Sequence, residues 1–324
     1  APPLAAHPAP PHAPAAAPPA APPHAQDPAP APAPPAPEPS DAPAQVPSVL
    51  GHGTLRRAAE VFFAGQAEAL GGDATAPVLL AYLQSTFRPV LTTCAVGELT
   101  APELSHAART VLLLARSYAD QCAFAASRRT LGRAASLAEL AGESATRAIA
   151  LRMLSQDALD HHQYAVALSY VRQALEAAPR APASVRAYVA VQAAHVHAAL
   201  GHRDSALAWL DAAGGLRGRL LVDPDPFHTY PPSALDFKRA VVLDLLGERD
   251  AAHAALDASL ATRPEQQTRA IALTHVERAR LYRRDGREAD AAAELRRARH
   301  LNRGVRSPRA AREIEHLGSA AHPS

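Results

Sequence analysis

Small and apolar residues recur along this chain at a fixed spacing. A small residue is followed four positions later by an apolar one, and three positions after that by a second small one. This spacing places all three residues on one face of an α-helix. The pattern occurs five times, at Ser127-Leu131-Ala134, Ala167-Val171-Ala174, Ala206-Leu210-Ala213, Ala252-Leu256-Ser259 and Ala291-Leu295-Ala298.

The five occurrences are almost evenly spaced. Their first members lie 40, 39, 46 and 39 residues apart. Periods of about 20 to 50 residues are typical of stacked units that bury their apolar faces only against their neighbours. The sequence therefore predicts an all-α fold, a right-handed superhelix (α-solenoid) of about five helix pairs, and a binding function.

Turn residues separate the two helices of each pair. Glycine stands at the same phase in three of the turns, at Gly201, Gly247 and Gly286. Glycine accepts the left-handed conformation that ends many helices, and the polar residues after it begin the next helix. In the second pair the turn falls at His161-His162-Gln163.

Two helical segments precede the first pair, around Leu55 to Phe63 and around Leu79 to Phe87, and we expect them to cap the array. Before them, residues 1–47 hold 19 of the 31 prolines, which favours an extended chain. The predicted organisation is a disordered Pro/Ala-rich linker or tail over 1–50, capping helices over 51–97, a repeat domain over 98–318 and a disordered C-terminus over 319–324.

The second helix of the second pair reads Tyr164-Ala-Val-Ala-Leu-Ser-Tyr-Val-Arg-Gln-Ala-Leu-Glu-Ala-Ala-Pro179. In this segment the chain resembles the tetratricopeptide repeat (TPR) family. It departs from that family in its period, which is longer than about 34 residues, and in lacking most aromatic residues of the first helix. The resemblance implies TPR-like helix pairs and a protein or peptide ligand.

Three further segments carry a narrower resemblance. They are Val78-Leu-Leu-Ala-Tyr-Leu83 before Arg88-Pro-Val-Leu91, Ala134-Ala-Ser-Leu-Ala-Glu-Leu-Ala-Gly-Glu143 and Asp223-Pro-Asp-Pro-Phe-His-Thr-Tyr-Pro-Pro-Ser233. Their order is similar to the C-terminal region of actinomycete-type transcriptional regulators of the helix-turn-helix (XRE) class. The resemblance implies a sensor or assembly module that meets DNA only indirectly, through a helix-turn-helix domain that residues 1–52 do not contain. The alternative is a stand-alone interaction scaffold; a homodimer is a further candidate assembly.

Charge and cysteine content add little about the partner. The net charge is +2, so the whole-chain balance indicates no particular ligand. Cys94 and Cys122 are too few for a disulfide framework, which favours a cytoplasmic protein. The longest apolar runs, such as residues 111–115, are far shorter than the roughly 20 residues of a membrane helix, so no membrane partner is expected.

Candidate catalytic and metal-binding groups are few. Paired histidines occur at 161–162 and 195–197, but metal ligands on a helix need a spacing of about three or four residues, so we expect no metal. No phosphate-binding loop is present. The sequence predicts no enzyme and no cofactor. The minor alternative is acid–base chemistry in the insertion between the third and fourth pairs, at Asp223, Asp225, His228 and Tyr230, although its prolines favour a rigid turn.

The C-terminal region is strongly basic. Residues 278–312 contain 12 arginines, while Lys238 is the only lysine of the chain. Such a charge attracts an anionic surface or nucleic acid. It equally fits a solvated outer face in a chain that uses arginine almost exclusively, and both interpretations stay open.

The concave groove of the solenoid is the strongest functional candidate. Positions just after the small crossing residues of the first helices point inward, and arginine and glutamine there suit a peptide's carboxylates and backbone. Val241 occupies the same position in the fourth helix pair, just after a small crossing residue. We expect the ligand-binding residues to be Arg116, Arg152, Gln156, Tyr188, His195, Arg280 and Arg283.

Overall fold

The computed structural model describes residues 52–87, 99–220 and 229–319, which belong to one compact unit spanning residues 48–324. The described residues form thirteen α-helices and no strand, which confirms the predicted all-α class. The predicted arm over residues 1–50 lies outside them. The helices are α1 (His52–Leu70), α2 (Gly72–Thr86), α3 (Ala101–Asp120), α4 (Phe124–Leu140), α5 (Ser144–Asp160), α6 (Tyr164–Ala177), α7 (Ala183–Ala199), α8 (Arg203–Gly214), α9 (Pro232–Leu245), α10 (Arg249–Thr262), α11 (Thr268–Arg284), α12 (Glu288–Val305) and α13 (Pro308–Ser319).

Five antiparallel pairs make up the array: α3–α4, α5–α6, α7–α8, α9–α10 and α11–α12. The recurrent small-apolar-small residues lie on the second helix of each pair, and all fifteen are at most 7% exposed. Serine hydroxyls add hydrogen bonds at these crossings. Ser127 and Ser259 of the triplets, and Ser155 of α5, donate to backbone carbonyls of the partner helix at 2.7–2.9 Å. The predicted solenoid of five helix pairs is confirmed, because the repeat marks where the two helices of each pair cross.

The turns within the pairs share one geometry. In each, two amides after the first helix bond back to its last carbonyls, as when Gly201 donates to Ala198 and His202 donates to His197. The residue between these helices adopts a positive φ in all five turns. Glycine fills this position in the last three pairs, but Cys122 (φ 59°) and His162 (φ 58°) fill it in the first two. The histidine of the second turn therefore has a structural position that its side-chain chemistry did not reveal.

Helices α1 and α2 precede the array and pack on α3. The interface is tight at Gly72, where a Cβ atom would lie 2.2 Å from the Ser117 carbonyl oxygen. The apolar pattern of α1 is only partly buried: Phe63 is buried, whereas Leu55 and Phe62 are 45% and 57% exposed. The pattern thus located the helix but overestimated its buried face.

The last helices return to the first. Asp120, at the end of α3, accepts hydrogen bonds from the Gly72 amide (2.8 Å), the Ser307 hydroxyl (2.5 Å) and Arg269 Nη1 (3.4 Å). Arg269 of α11 also pairs with Glu68 of α1 at 2.9 Å. We call these five residues the closing contact. Because it joins the two ends of the array, the first helices of the pairs surround an interior space.

The irregular 46-residue interval corresponds to residues 215–231, between α8 and α9. Residues 221–228, including Asp223, Asp225 and His228 of the predicted acid–base cluster, lie outside the described residues. On either side of them the chain is fixed to the array. Arg217 forms a two-pronged ion pair with Asp236 of α9, and the Tyr230 ring packs on Tyr188 of α7 at 4.9 Å. Tyr230 is therefore an interior residue.

Candidate functional site

The interior space contains a large cavity at the end where the first helices reach their turns. This outer cavity, of about 740 Å³, is open to solvent and is bounded by α13 on one side. Its lining combines apolar residues with charged side chains of both signs. It includes Asp160, Asp244, Glu277, Arg280, Arg309 and Glu313.

A smaller inner chamber of about 410 Å³ continues from the outer cavity. The carboxylates that line it, Asp160, Glu277 and Glu313, also line the outer cavity, and so they mark its entrance. Arg152 and Lys238 line only the inner chamber. Since Arg152 precedes Asp160 by eight residues on α5, it lies about 12 Å deeper along the helix axis.

Hydrogen bonding in the inner chamber leaves Arg152 and Lys238 without an acidic partner among the described residues. Gln156 accepts from Lys238 Nζ (2.9 Å) and donates to Asp160 (2.6 Å), which places an amide between the lysine and the carboxylate. The Arg152 guanidinium lies 4.1 Å from the centre of the Tyr188 ring. Arg152 is 5% exposed, and among the described residues no carboxylate lies within ion-pair distance of it or of Lys238. The chamber therefore has an uncompensated positive end.

Burial and mutual repulsion shift the pKa values in the chamber. Burial, then the charge of Arg152, lowers the pKa of Lys238 to about 7. Burial, then Lys238 and Arg152, lowers the pKa of His195 well below its usual range, so its imidazole is neutral. His195 is 9% exposed, and its Nδ1 has no hydrogen-bond partner among the described residues. Besides Arg280 and Arg309, the chamber thus offers the fixed cation of Arg152, the titratable amine of Lys238 and the neutral imidazole of His195.

A rear cavity of about 520 Å³ opens at the opposite end of the first helices. Arg116 of α3 lines it beside Tyr188 and Arg269. Burial lowers the pKa of Arg116, and no carboxylate among the described residues pairs with it. Tyr188 connects the rear cavity to the inner chamber, because its ring lies against Arg152.

The structure brings six of the seven predicted site residues to this interior space. Arg116 and Tyr188 line the rear cavity, and Arg152, Gln156, His195 and Arg280 line the inner chamber. Arg280 is committed to the fold, since it pairs with Glu277 and with Glu313 at 3.0 Å. The assignment of these six to ligand binding stays a prediction.

Arg283 does not lie with the others, and its predicted inward position is corrected. Its Nε is 3.5 Å from Glu288 at the start of α12, and it lines none of the three cavities. Arg283 stands one residue before the end of α11. At this position its side chain reaches the carboxylate of Glu288 in the following helix.

Sequence reasoning missed Lys238 and Arg309. Both line the inner chamber. Arg309 belongs to α13, and no repeat in the sequence predicts that this helix packs against the interior. The sequence does contain one indication of Lys238: it is the only lysine among 33 basic residues, all the others being arginine. A residue type used once, on a first helix, marks an unusual environment.

The arginine-rich C-terminal region divides between pairing and the cavities. Six of its twelve arginines pair with carboxylates: Arg278, Arg280, Arg283, Arg284, Arg287 and Arg297. Arg309 and Arg312 line the outer cavity, and Arg312 lies over the Phe124 ring at 5.7 Å. The region is therefore not one continuous basic face.

In residues 52–87, 99–220 and 229–319, no three His, Cys, Asp or Glu side chains are grouped to hold a metal ion. None of the described helices is long and apolar enough to cross a bilayer.

No protein-family model and no curated protein matches the chain. Among solved structures, it is similar to the one described as the APC/C hetero-tetramer Cut9-Hcn1, with a TM-score of 0.43 and 13% identity over 78% of this chain and 48% of that one. It is also similar to a tetratricopeptide repeat protein from Parabacteroides merdae, with a TM-score of 0.39 and 12% identity over 82% of this chain and 98% of that one. The chain spans about half the length of the first of these, and neither similarity assigns it to a family.

Proposed function

We propose that this protein is a binding protein whose protein or peptide ligand occupies the interior space between the first helices. The observation that carries the proposal is Arg116. It faces a cavity, and no carboxylate of the described chain pairs with it, whereas Arg269 in the same cavity pairs with Glu68 and Asp120. A charge that the fold does not use is available to a ligand.

The dimensions of the cavities support an extended or small ligand. Ligand sites typically have volumes of about 300–1,000 Å³, which includes all three cavities of this interior. Their walls combine apolar patches, such as Val241 and Leu273, with the polar groups described above. This combination favours binding of a chain segment over docking of a folded domain.

The test is a comparison of two arginine variants in the full chain. Peptides selected from a displayed random library would be measured by fluorescence anisotropy against wild type, Arg116→Gln and Arg129→Gln. Arg129 lies exposed on α4, outside the interior. We expect Arg116→Gln to weaken binding about ten-fold, equivalent to about 1.4 kcal/mol, and Arg129→Gln to leave it unchanged. Failure to select any peptide, or equal affinities, would contradict the proposal.

The finer proposal is that this binding regulates transcription. It is supported by the sequence resemblance to regulators of the helix-turn-helix class, through segments such as Ala134 to Glu143. Occupancy of the interior would then shift the curvature of the array, because each helix pair contacts mainly its neighbours. The complete reading frame of the gene tests this: it should encode a helix-turn-helix domain, and its absence would favour the alternative, a stand-alone scaffold.

A further inference from the structure

The inner chamber holds two positive groups, Arg152 and Lys238, that form no ion pair with a carboxylate of the described residues. Arg152 is buried and meets only the face of Tyr188, and Lys238 donates only to the amide oxygen of Gln156. Buried charges in proteins are normally paired, because an unpaired charge loses its hydration without compensation. Two other interior arginines, Arg269 and Arg280, follow this rule.

The order of charges along the chamber points to an anion. Its carboxylates lie at the entrance, where Arg280 holds Glu277 and Glu313. Arg152 and Lys238 lie at its deep end, and His195, whose Nδ1 has no hydrogen-bond partner among the described residues, lines both cavities. A negative group that passes the entrance would find donors on two sides. The chamber's volume of about 410 Å³ suits a small molecule, and Phe237, Leu273 and Val276 give it an apolar wall.

We propose that the deep end of the inner chamber is a carboxylate-binding site in which the Arg152 guanidinium and the Lys238 ammonium hold the anion. The site deepens the proposed function and rests on it, since it lies in the same interior space. Its ligand is a small carboxylic acid or an acidic side chain of a bound peptide. Both present the same group, and Arg152 suits its planar shape.

Binding at this site is linked to a proton. In the free chamber the charged groups facing Lys238 are Arg152 and Asp160 from α5, Glu277 from α11 and Arg309 from α13, with the neutral His195 from α7. Burial and Arg152 together lower the pKa of Lys238 to about 7. A bound carboxylate favours the ammonium form and raises this pKa, so binding takes up a proton near and above neutral pH. Affinity should therefore fall with rising pH, by up to about ten-fold per pH unit above the free pKa.

The single lysine makes this linkage directly measurable. In the full chain, isotope-labelled lysine gives one side-chain signal, whose Cε shift reports the titration of Lys238. The probes are succinate and its uncharged analogue succinamide. We expect succinate at millimolar concentration to move the Lys238 midpoint upward by about one pH unit, which corresponds to about ten-fold tighter binding to the charged form, and succinamide to leave it unchanged.

Three variants separate the roles of the two cations. Arg152→Gln should lose succinate binding by about ten-fold or more in calorimetry. Lys238→Arg should keep binding but lose the proton uptake, which is read from the difference in heat between two buffers of unlike ionisation enthalpy. Arg129→Gln on the outside of α4 is the matched control, and it should behave as wild type.

The outcomes distinguish this site from the proposed function. A Lys238 midpoint that neither succinate nor an acidic peptide moves, or proton uptake that persists in Lys238→Arg, would overturn the carboxylate site. If selected peptides still bound through Arg116 in that case, the proposed function would stand without it. If acidic peptides moved the Lys238 midpoint and succinate did not, the carboxylate would belong to a peptide side chain and not to a free acid.

Discussion

Arg269 and Arg116 line the same cavity, but only Arg269 forms ion pairs with carboxylates of the described residues. Arg269 pairs with Glu68 and Asp120 and holds the two ends of the array together. Arg116 has no acidic partner among the described residues. At Arg269 the effect of burial is outweighed by Glu68 and then Asp120, which raise its pKa, whereas at Arg116 burial dominates and lowers it.

This difference distinguishes buried charges that form ion pairs within the described fold from buried charges that form none there. In the closing contact both charged side chains that face Arg269 come from distant parts of the chain, so removing Arg269 leaves the buried carboxylate of Asp120 without its cation. On the inner wall, Arg116, Arg152 and Lys238 can be removed without leaving an unpaired carboxylate. The first group should therefore control stability, and the second should control binding.

The largest expected effect comes from exchanging these two arginines for methionine. Arg269→Met leaves Asp120, which is 4% exposed, without its cation, and we expect a loss of about 3–5 kcal/mol in the free energy of unfolding. Arg116→Met should change it by less than about 1 kcal/mol or increase it. Urea unfolding of both variants measures the difference, and equal losses would remove the distinction between the two regions.

A smaller effect should appear in the pH dependence of stability. Burial, then Arg152, sets the pKa of Lys238 to about 7 in the folded chain, whereas an unfolded lysine has a pKa of about 10.4. Between these values the unfolded chain binds more protons, so stability rises with pH by up to about 1.4 kcal/mol per unit. The destabilising effect of the charged lysine is complete below the folded pKa and disappears above the unfolded one.

The variant Lys238→Met isolates this contribution. It should be more stable than wild type at acidic pH, and the rise in stability above neutral pH should become shallower by the amount that Lys238 supplies. Urea midpoints of the two chains, measured across this pH range, provide the test. Parallel pH profiles would show that Lys238 is not held among the cations of the chamber.

The smallest effect should come from an ion pair outside both regions. Asp290 pairs with Arg287 at 2.8 Å, and both side chains are about half exposed. Because water and salt screen such pairs, we expect Asp290→Ala to cost less than about 1 kcal/mol. A loss as large as that of Arg269→Met would mean that the ion pair itself, and not its burial, accounts for the contribution of the closing contact to stability.

Much of the fold followed from local pattern. The crossing triplets, such as Ala167-Val171-Ala174, fixed the pairs because close helix packing needs small residues at the crossing. The same phase brought Gln156 and His195 near the interior. It failed at Arg283, which lies next to the start of α12, and it could not assign a role to His162, because a turn position with positive φ is usually filled by glycine.

The sequence by itself determined the helices, their pairing and the side of each helix that faces its partner, since these depend on neighbours within about 40 residues. Only the tertiary structure decided that the array closes on itself. The bond between Asp120 and Ser307 joins residues 187 positions apart, and no local pattern records such a distance. Closure then decided which charges share the interior, because it brings Arg309 of α13 to the chamber that Arg152 and Lys238 line.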